Sequence, residues 1–370
     1  MLIIDGDCAF MIGAMERDRD LTLPLDEIRT APASGRNWVP GVPDTEAVVS
    51  LPEFRRGGVA VIVAKISGRI YRPGSPLWGY RTGDIAYAMA RGQAAYYQIL
   101  DTRGEARIIK ETAQLTAHMK EWSDIDDFSN LPVGMILGIE GADPILWPDQ
   151  VREWWEVGVR VVSLSHYGVS TYSHGTSTGT KGGLFSPAKD LLQEMDSLGM
   201  ILDVTHTSDE SVRQAMDIFQ GPVLASHQNC RTLVPGERQF PDELLNRVIE
   251  RGGVIGTSLD AFMLYRPGID WQNIPERRQT YAREEVTLED VADHMDYVCQ
   301  LAGNSLHAAL GTDLGGGVGW NGAPHGVDSA SDYQKLIGVL ERRGHSEKDV
   351  SNIMYRNWQR FYETWLPRAG

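Results

Sequence analysis

Residues 199–211 read GMILDVTHTSDES, and the helical pattern DESVRQAMDIF (209–219) overlaps their end. An apolar, β-rich run, MILDVT (200–205), meets a histidine, His206, and then an amphipathic segment opened by Asp209. That is one strand, one polar turn and one helix. The same unit recurs along the chain. Strand-like runs stand at LIID (2–5), VAVIVA (59–64), GMILGIE (134–140), VRVVSLS (159–165), MILDVT (200–205), PVLASH (222–227), VIGTSL (254–259) and AALGTD (308–313). Several are apolar on both faces, as parallel strands covered by helices are. Helical patterns follow, as in DLLQEMDSLG (190–199) and PDELLNRVIERGG (241–253), with Gly, Asp and Pro punctuating their ends. Eight such runs in β-then-α alternation predict an α/β chain folded as a (β/α)8 TIM-type barrel. A doubly wound open sheet is the alternative, but no Gly-rich phosphate fingerprint follows the first strand.

Two stretches break the rhythm. Residues 31–50 (APASGRNWVPGVPDTEAVVS) are rich in Pro and Gly and are expected to form a long loop over one barrel mouth. Residues 264–285 (LYRPGIDWQNIPERRQTYAREE) are a second excursion. With these as loops, residues 1–370 read as one barrel domain, without internal repeats. The aromatic stripe of SEKDVSNIMYRNWQRFYETWL, at helical spacing, reads as core packing.

A length of 370 residues accommodates a large buried core, and 42% hydrophobic with 23% charged residues is a globular composition. The net charge of -15 argues against nucleic acid or an anionic membrane as main partner, because both demand basic surface. No apolar run approaches the roughly 20 residues of a membrane span. No basic-then-apolar leader precedes the first strand. The three cysteines, Cys8, Cys230 and Cys299, are too scattered for a disulfide framework or a zinc ribbon. A cytoplasmic setting is the expectation.

Position singles out the polar residues. Asp7 follows the first strand run, Glu140 ends the third, His166 follows the fourth, His206 follows the fifth, His227 ends the sixth and Asp313 ends the last. In a barrel the carboxyl ends of all strands share one mouth, where active sites of this fold are built. A single histidine at a strand end is most often an ordinary satisfied polar residue. The coincidence of His206, His227, Glu140 and Asp313 is harder to dismiss. Two imidazoles and a carboxylate with an open position suit a catalytic zinc ion, and a further carboxylate can carry protons. His118, His294 and His345 lie on or beside helical patterns and read as surface or capping residues; His174 and His325 fall in loops, and His307 precedes the last strand.

The stretches GIEGADPI (138–145), GVRVVSLSHYG (158–168), GMILDVTHTSDES (199–211), PVLASHQNCRTLVPGERQF (222–240) and ALGTD (309–313), in that order, resemble the membrane (renal) dipeptidase family of the amidohydrolase superfamily. SLPEFRRGGVAV (50–61) resembles its second-strand region. The resemblance implies a zinc metallopeptidase with two zinc ions bridged by Glu140, the second ion held by His206 and His227. It places the proton-handling aspartate on Asp313, a histidine contacting the scissile group on His166, and an arginine gripping the substrate carboxylate on Arg238. Arg231 reads equally as a substrate contact or a loop anchor. A homodimer is also implied.

The departure lies in LIIDGDCAF (2–10). The family carries a His-x-Asp pair here, both residues being ligands of the first metal; this chain has Asp7 and Ala9. Asp7 offers an oxygen ligand in place of an imidazole, and Ala9 offers none. Gly315 stands where many relatives carry another aspartate. The expectation is a metal-dependent hydrolase of dipeptides or similar small amides with one tightly bound metal. The alternatives are a single-metal amidohydrolase acting on N-acyl amino acids or another small amide, and a non-catalytic ligand-binding relative.

Overall fold

The computed structural model describes residues 1–31, 44–73, 78–176, 179, 181–270, 280–315 and 319–368. Among the described residues nine strands are present: β1 Ile3–Cys8, β2 Val59–Ser67, β3 Ala106–Ile108, β4 Val133–Glu140, β5 Val159–Ser163, β6 Ile201–Asp203, β7 Val223–Leu224, β8 Ile255–Thr257 and β9 Ala308–Leu310. Their ladders are all parallel, in the order β1-β2-β4-β5-β6-β7, with β8 paired to β9. A parallel bridge from Ala225 to Ile255 carries β7 onto β8. The Asp313 N–H donates to the Asp7 carbonyl at 3.2 Å, and the Thr312 N–H to Asp5 Oδ1 at 2.7 Å, so the far side of β9 meets β1. The ring is a (β/α)8 barrel, and each of the eight expected runs supplies a strand. β3 was not expected. It pairs with β4 at 133–135, on the edge that β5 takes over from Leu137 onward, while β2 lines the opposite edge.

Helices fall between the strands where the punctuation placed them. Pro187–Leu198, Asp209–Ile218 and Asp242–Glu250 match the three segments read from sequence. The Ser208 side chain accepts from the Ser211 N–H and so starts the helix directly behind His206. β1, β4 and β5 are buried along their whole length, as strands enclosed by a helical shell must be. The C-terminal aromatic stripe is core: Trp358 and Tyr362 are fully buried and stack on each other, and Trp358 Nε1 donates to the Leu310 carbonyl at 2.8 Å. A Cβ at Gly6 would lie 2.4 Å from the Trp358 ring, so no other residue fits there without moving that ring. The β1–β2 register slips between Asp5 and Cys8, around that same glycine. A slip of this kind re-aims the next side chain, and the next residue is Asp7.

Residues 32–43 and 271–279, the middles of the two expected excursions, lie outside the described residues. His118 and His294 depart from expectation. Both are buried, because the helix faces that carry them pack inward onto β2 and the Cys230 segment. Among the described residues, no helix is long and apolar enough to cross a membrane.

Candidate active site

The ends of β4, β6, β7 and β9 bring Glu140, His206, His227 and Asp313 together. His206 Nε2 is 2.8 Å from His227 Nε2, and Glu140 Oε1 is 3.3 Å from the first and 3.5 Å from the second. A point about 2 Å from all three atoms therefore exists, the length of a zinc bond to nitrogen or carboxylate oxygen. Asp313 Oδ2 stands 3.8 Å from His227 Nε2. His206 and Asp313 have left-handed backbones, φ 65° and 59°, which non-glycine residues rarely adopt outside functional sites. Glu140, His166 and His206 also form one group of metal-capable atoms lying within 4.8 Å of one another, and Asp7, Glu140 and His227 form another.

Protonation can be read from the partners. His227 Nδ1 lies 2.9 Å from Asp7 Oδ2 and 2.9 Å from Ser226 Oγ. A carboxylate at Nδ1 fixes the ring proton there and leaves the Nε2 lone pair facing His206. Burial, then the charges of Arg238 and His227, holds the His206 imidazole well below its ordinary pKa. Burial alone would raise Glu140, but His166, His227 and Lys65 outweigh it and the carboxyl ends below its usual range. Glu140 Oε1 and His206 Nδ1 are buried and have no hydrogen-bond partner among the described residues. The 2.8 Å contact between the two Nε2 atoms is a hydrogen bond when one of them carries a proton, and with both lone pairs free the same two nitrogens and the Glu140 oxygen can face a cation between them. The donor set of two nitrogens and one oxygen fits a divalent metal ion.

Asp313 has the opposite electrostatics. Burial raises its pKa well above the ordinary value, and the charges of Asp260, Asp7 and Glu140 add to this. A carboxyl so placed retains a proton that ordinary aspartates lose. His166 Nε2 is 3.9 Å from Glu140 Oε1. Arg69 Nη2 donates to His166 Nδ1, so the ring carries its proton on Nε2, the nitrogen nearer Glu140. A cleft bounded by Arg69, Glu140, Gly141, Asp143, His166 and Tyr167 opens beside this ring.

Arg238 is fully buried; its Nη1 donates to Gln228 Oε1 and its Nη2 to the His227 carbonyl, both at 2.9 Å, with Nη2 3.5 Å from His206 Nε2. Any ligand meeting it does so deep in the mouth. Arg231 forms a two-bond pair with Asp209 at 2.7 and 2.8 Å and donates from Nε to the Gly236 and Gln239 carbonyls, which makes it a loop anchor. Asp7 is fully buried behind His227, and Ala9 offers no donor atom. Arg69, Lys65 and Asp203 were not anticipated. Lys65 and Asp203 carried a signal, since each is a charged residue within or directly after an apolar strand run.

The family model "Membrane dipeptidase (Peptidase family M19)" matches residues 45–365. The chain belongs to the membrane dipeptidase family. Among curated relatives, dipeptidase aclJ of Aspergillus oryzae is 33% identical over 224 residues, covering 60% of this chain and 49% of that protein. An uncharacterised dipeptidase of Schizosaccharomyces pombe is 29% identical over 242 residues, covering 64% and 54%. The chain spans about half the length of the curated family relatives it matches. Among solved structures, a metallo peptidase from Rhodobacter sphaeroides, liganded with a phosphinate mimic of the dipeptide L-Ala-D-Ala, superposes with a TM-score of 0.77 at 17% identity, covering 99% of both chains. A family M19 dipeptidase superposes equally well, at 19% identity. These likenesses bear out the fold.

Proposed function

We propose that the protein is a metal-dependent hydrolase that cleaves the amide bond of dipeptides or similar small amides, with one tightly held ion, zinc by donor type. The observation that carries this reading is the meeting of His206 Nε2, His227 Nε2 and Glu140 Oε1 around one point, with Asp313 beside them. Glu140, His206 and His227 would hold the ion, which supplies Lewis acidity and makes water nucleophilic near neutral pH.

The chain's own residues supply the rest. With a cation held by Glu140, His206 and His227, Asp313 would be kept as the carboxylate, and its Oδ2 would accept the proton of the attacking water and return it to the leaving amine. The buried, anionic surroundings that raise its pKa make the carboxylate a stronger base for the first transfer. His166 presents Nε2–H toward the reacting carbonyl oxygen, and Arg69 fixes that tautomer through Nδ1. Arg238 provides a buried cation for the substrate's carboxylate. The family's dipeptide-like ligand chemistry and the depth of Arg238 both favour a small substrate with a free carboxylate. N-acyl amino acids share that carboxylate and are the second reading, favoured by Ala9, which leaves the strand-1 side short of a ligand. The reading further takes residues 1–370 as one barrel domain, acting as a homodimer in the cytoplasm; the three unpaired cysteines support a reducing compartment.

The test is hydrolysis of a panel of L-L and L-D dipeptides and N-acyl amino acids, with chelator and then zinc added. Turnover that chelator abolishes and zinc restores is expected, and the preferred substrate separates the two readings. Stoichiometric metal with no turnover of any substrate would favour a binding role.

A further inference from the structure

Lys65 lies in the buried stretch VAVIVAKIS of β2 and is fully buried itself. Its ammonium meets three oxygens drawn from three other parts of the ring, donating to Asp203 and Ser226 and ion-pairing with Asp7. Nζ is 2.8 Å from Asp7 Oδ2 after β1's register slip, 2.8 Å from Asp203 Oδ2 at the end of β6, and 3.0 Å from Ser226 Oγ beyond β7. Asp7 Oδ2 in turn accepts from Ser226 Oγ at 3.2 Å and lies 2.9 Å from His227 Nδ1. A continuous path therefore runs from the ammonium through the Asp7 carboxylate to the back of the His227 ring.

We propose that Lys65 is the resident cation of the strand-1 side of the site: it closes that side to a second metal ion and holds Asp7 as the acceptor that orients His227. The inference rests on the metal-hydrolase reading above. Three observations converge. The ammonium already sits 2.8 Å from both Asp7 and Asp203, the carboxylates on this side. An ion seated against Asp7 would stand beside a buried like charge that has no solvent to escape into. The remaining position, Ala9, has no ligand atom to compensate. An anionic modification of the lysine amine is disfavoured by the same geometry, since it would place a third negative group between Asp7 and Asp203. Asp7 is thus a positioning residue acting through His227, and the oxygen-ligand role expected from sequence gives way to that of a carboxylate behind a metal-binding histidine.

The experiment counts metal. The wild-type protein, an Asp7→His/Ala9→Asp variant and the same variant with Lys65→Ser are equilibrated with excess zinc, desalted and measured by plasma mass spectrometry. About one ion per chain is expected in the first two and about two in the third, where the ammonium is gone and both lost ligand types are restored. The proposal is overturned if the wild type holds about two ions, or if the double variant gains a second ion with Lys65 still present. Should the triple variant fail to fold, anomalous scattering from zinc-soaked wild-type crystals decides: an ion on Asp7 with Lys65 displaced overturns the proposal, and a single ion on His206 and His227 supports it. Failure of the underlying reading looks different, because then the wild type holds no ion at all.

Discussion

Lys65 and His206 are both fully buried nitrogen bases at one barrel mouth, yet their surroundings are opposite in kind. Around Lys65 two carboxylates share one ammonium, which donates to Asp203 and Ser226 and ion-pairs with Asp7. Around His206, Glu140 Oε1 and the ring's own Nδ1 lack hydrogen-bond partners among the described residues, and two imidazole nitrogens face each other at 2.8 Å. Folding tolerates buried polar groups when they are paired, and on the strand-1 side the ammonium ties Asp7 and Asp203 together, although Asp7 Oδ1 is left without a partner among the described residues. The His206 side reads as half of something. On the proposed reading a metal ion is its missing partner, and that contrast would put the chemistry on one side and the scaffolding on the other.

Breaking the open side gives the largest effects. Replacing His227 or His206 with Ala is expected to remove bound metal and turnover together. Asp313→Asn should leave metal content unchanged while lowering kcat by about 10²–10⁴-fold, the usual contribution of a positioned acid–base group. Metal analysis alongside steady-state kinetics separates the two kinds of loss. A His206→Ala protein that still carries its ion would dissolve the distinction between the two sides.

On the closed side the expected cost is in stability. Lys65→Met leaves Asp7 and Asp203 buried together without their cation, a change worth about 3–5 kcal/mol in systems where one partner of a buried pair is removed. Urea midpoints read it directly. Lys65→Met/Asp7→Asn should recover much of the loss, since one buried charge is removed along with its counter-ion. Equal destabilisation in the single and double variants would mean that packing of the lysine stem, and not charge pairing, holds this side together.

The open side was legible in the sequence and the closed side was not. His206, His227, Glu140 and Asp313 each end a strand run, and barrel topology alone then forces them to one mouth. Lys65 follows the apolar run VAVIVA (59–64), and a charge after an apolar run looks like the strand's end, although β2 continues to Ser67. What makes Lys65 an interior residue is a pairing with Asp203, 138 positions away, and no local pattern encodes such a partner. β3 escaped notice because three residues carry no periodicity. The role of Arg231 was undecided between two readings until the position of Asp209 settled it. Histidines on helices were misjudged for a related reason: helical spacing locates a face, while tertiary packing decides whether that face is covered.

His118 and His294 sharpen the comparison at the smallest scale, because they are buried imidazoles of the closed type. His118 Nε2 donates to the Ala60 carbonyl at 2.9 Å, and His294 Nδ1 accepts from the Cys230 N–H at 3.0 Å. Burial lowers their pKa values to about 4 and about 3. Both rings are therefore neutral in the folded chain at pH values where an unfolded histidine, near 6.5, takes up a proton. Between that value and the folded one the unfolded state binds more protons, so stability rises with pH across the window. The contribution is complete above about pH 6.5 and is lost as pH falls toward about 4, at no more than about 1.4 kcal/mol per pH unit for each ring. A His118→Gln variant can keep the bond to the Ala60 carbonyl without a titrating ring. Its urea midpoint should therefore fall less steeply than that of the wild type between pH 7 and 4.5, and parallel curves would show that His118 is not among the groups responsible for acid sensitivity.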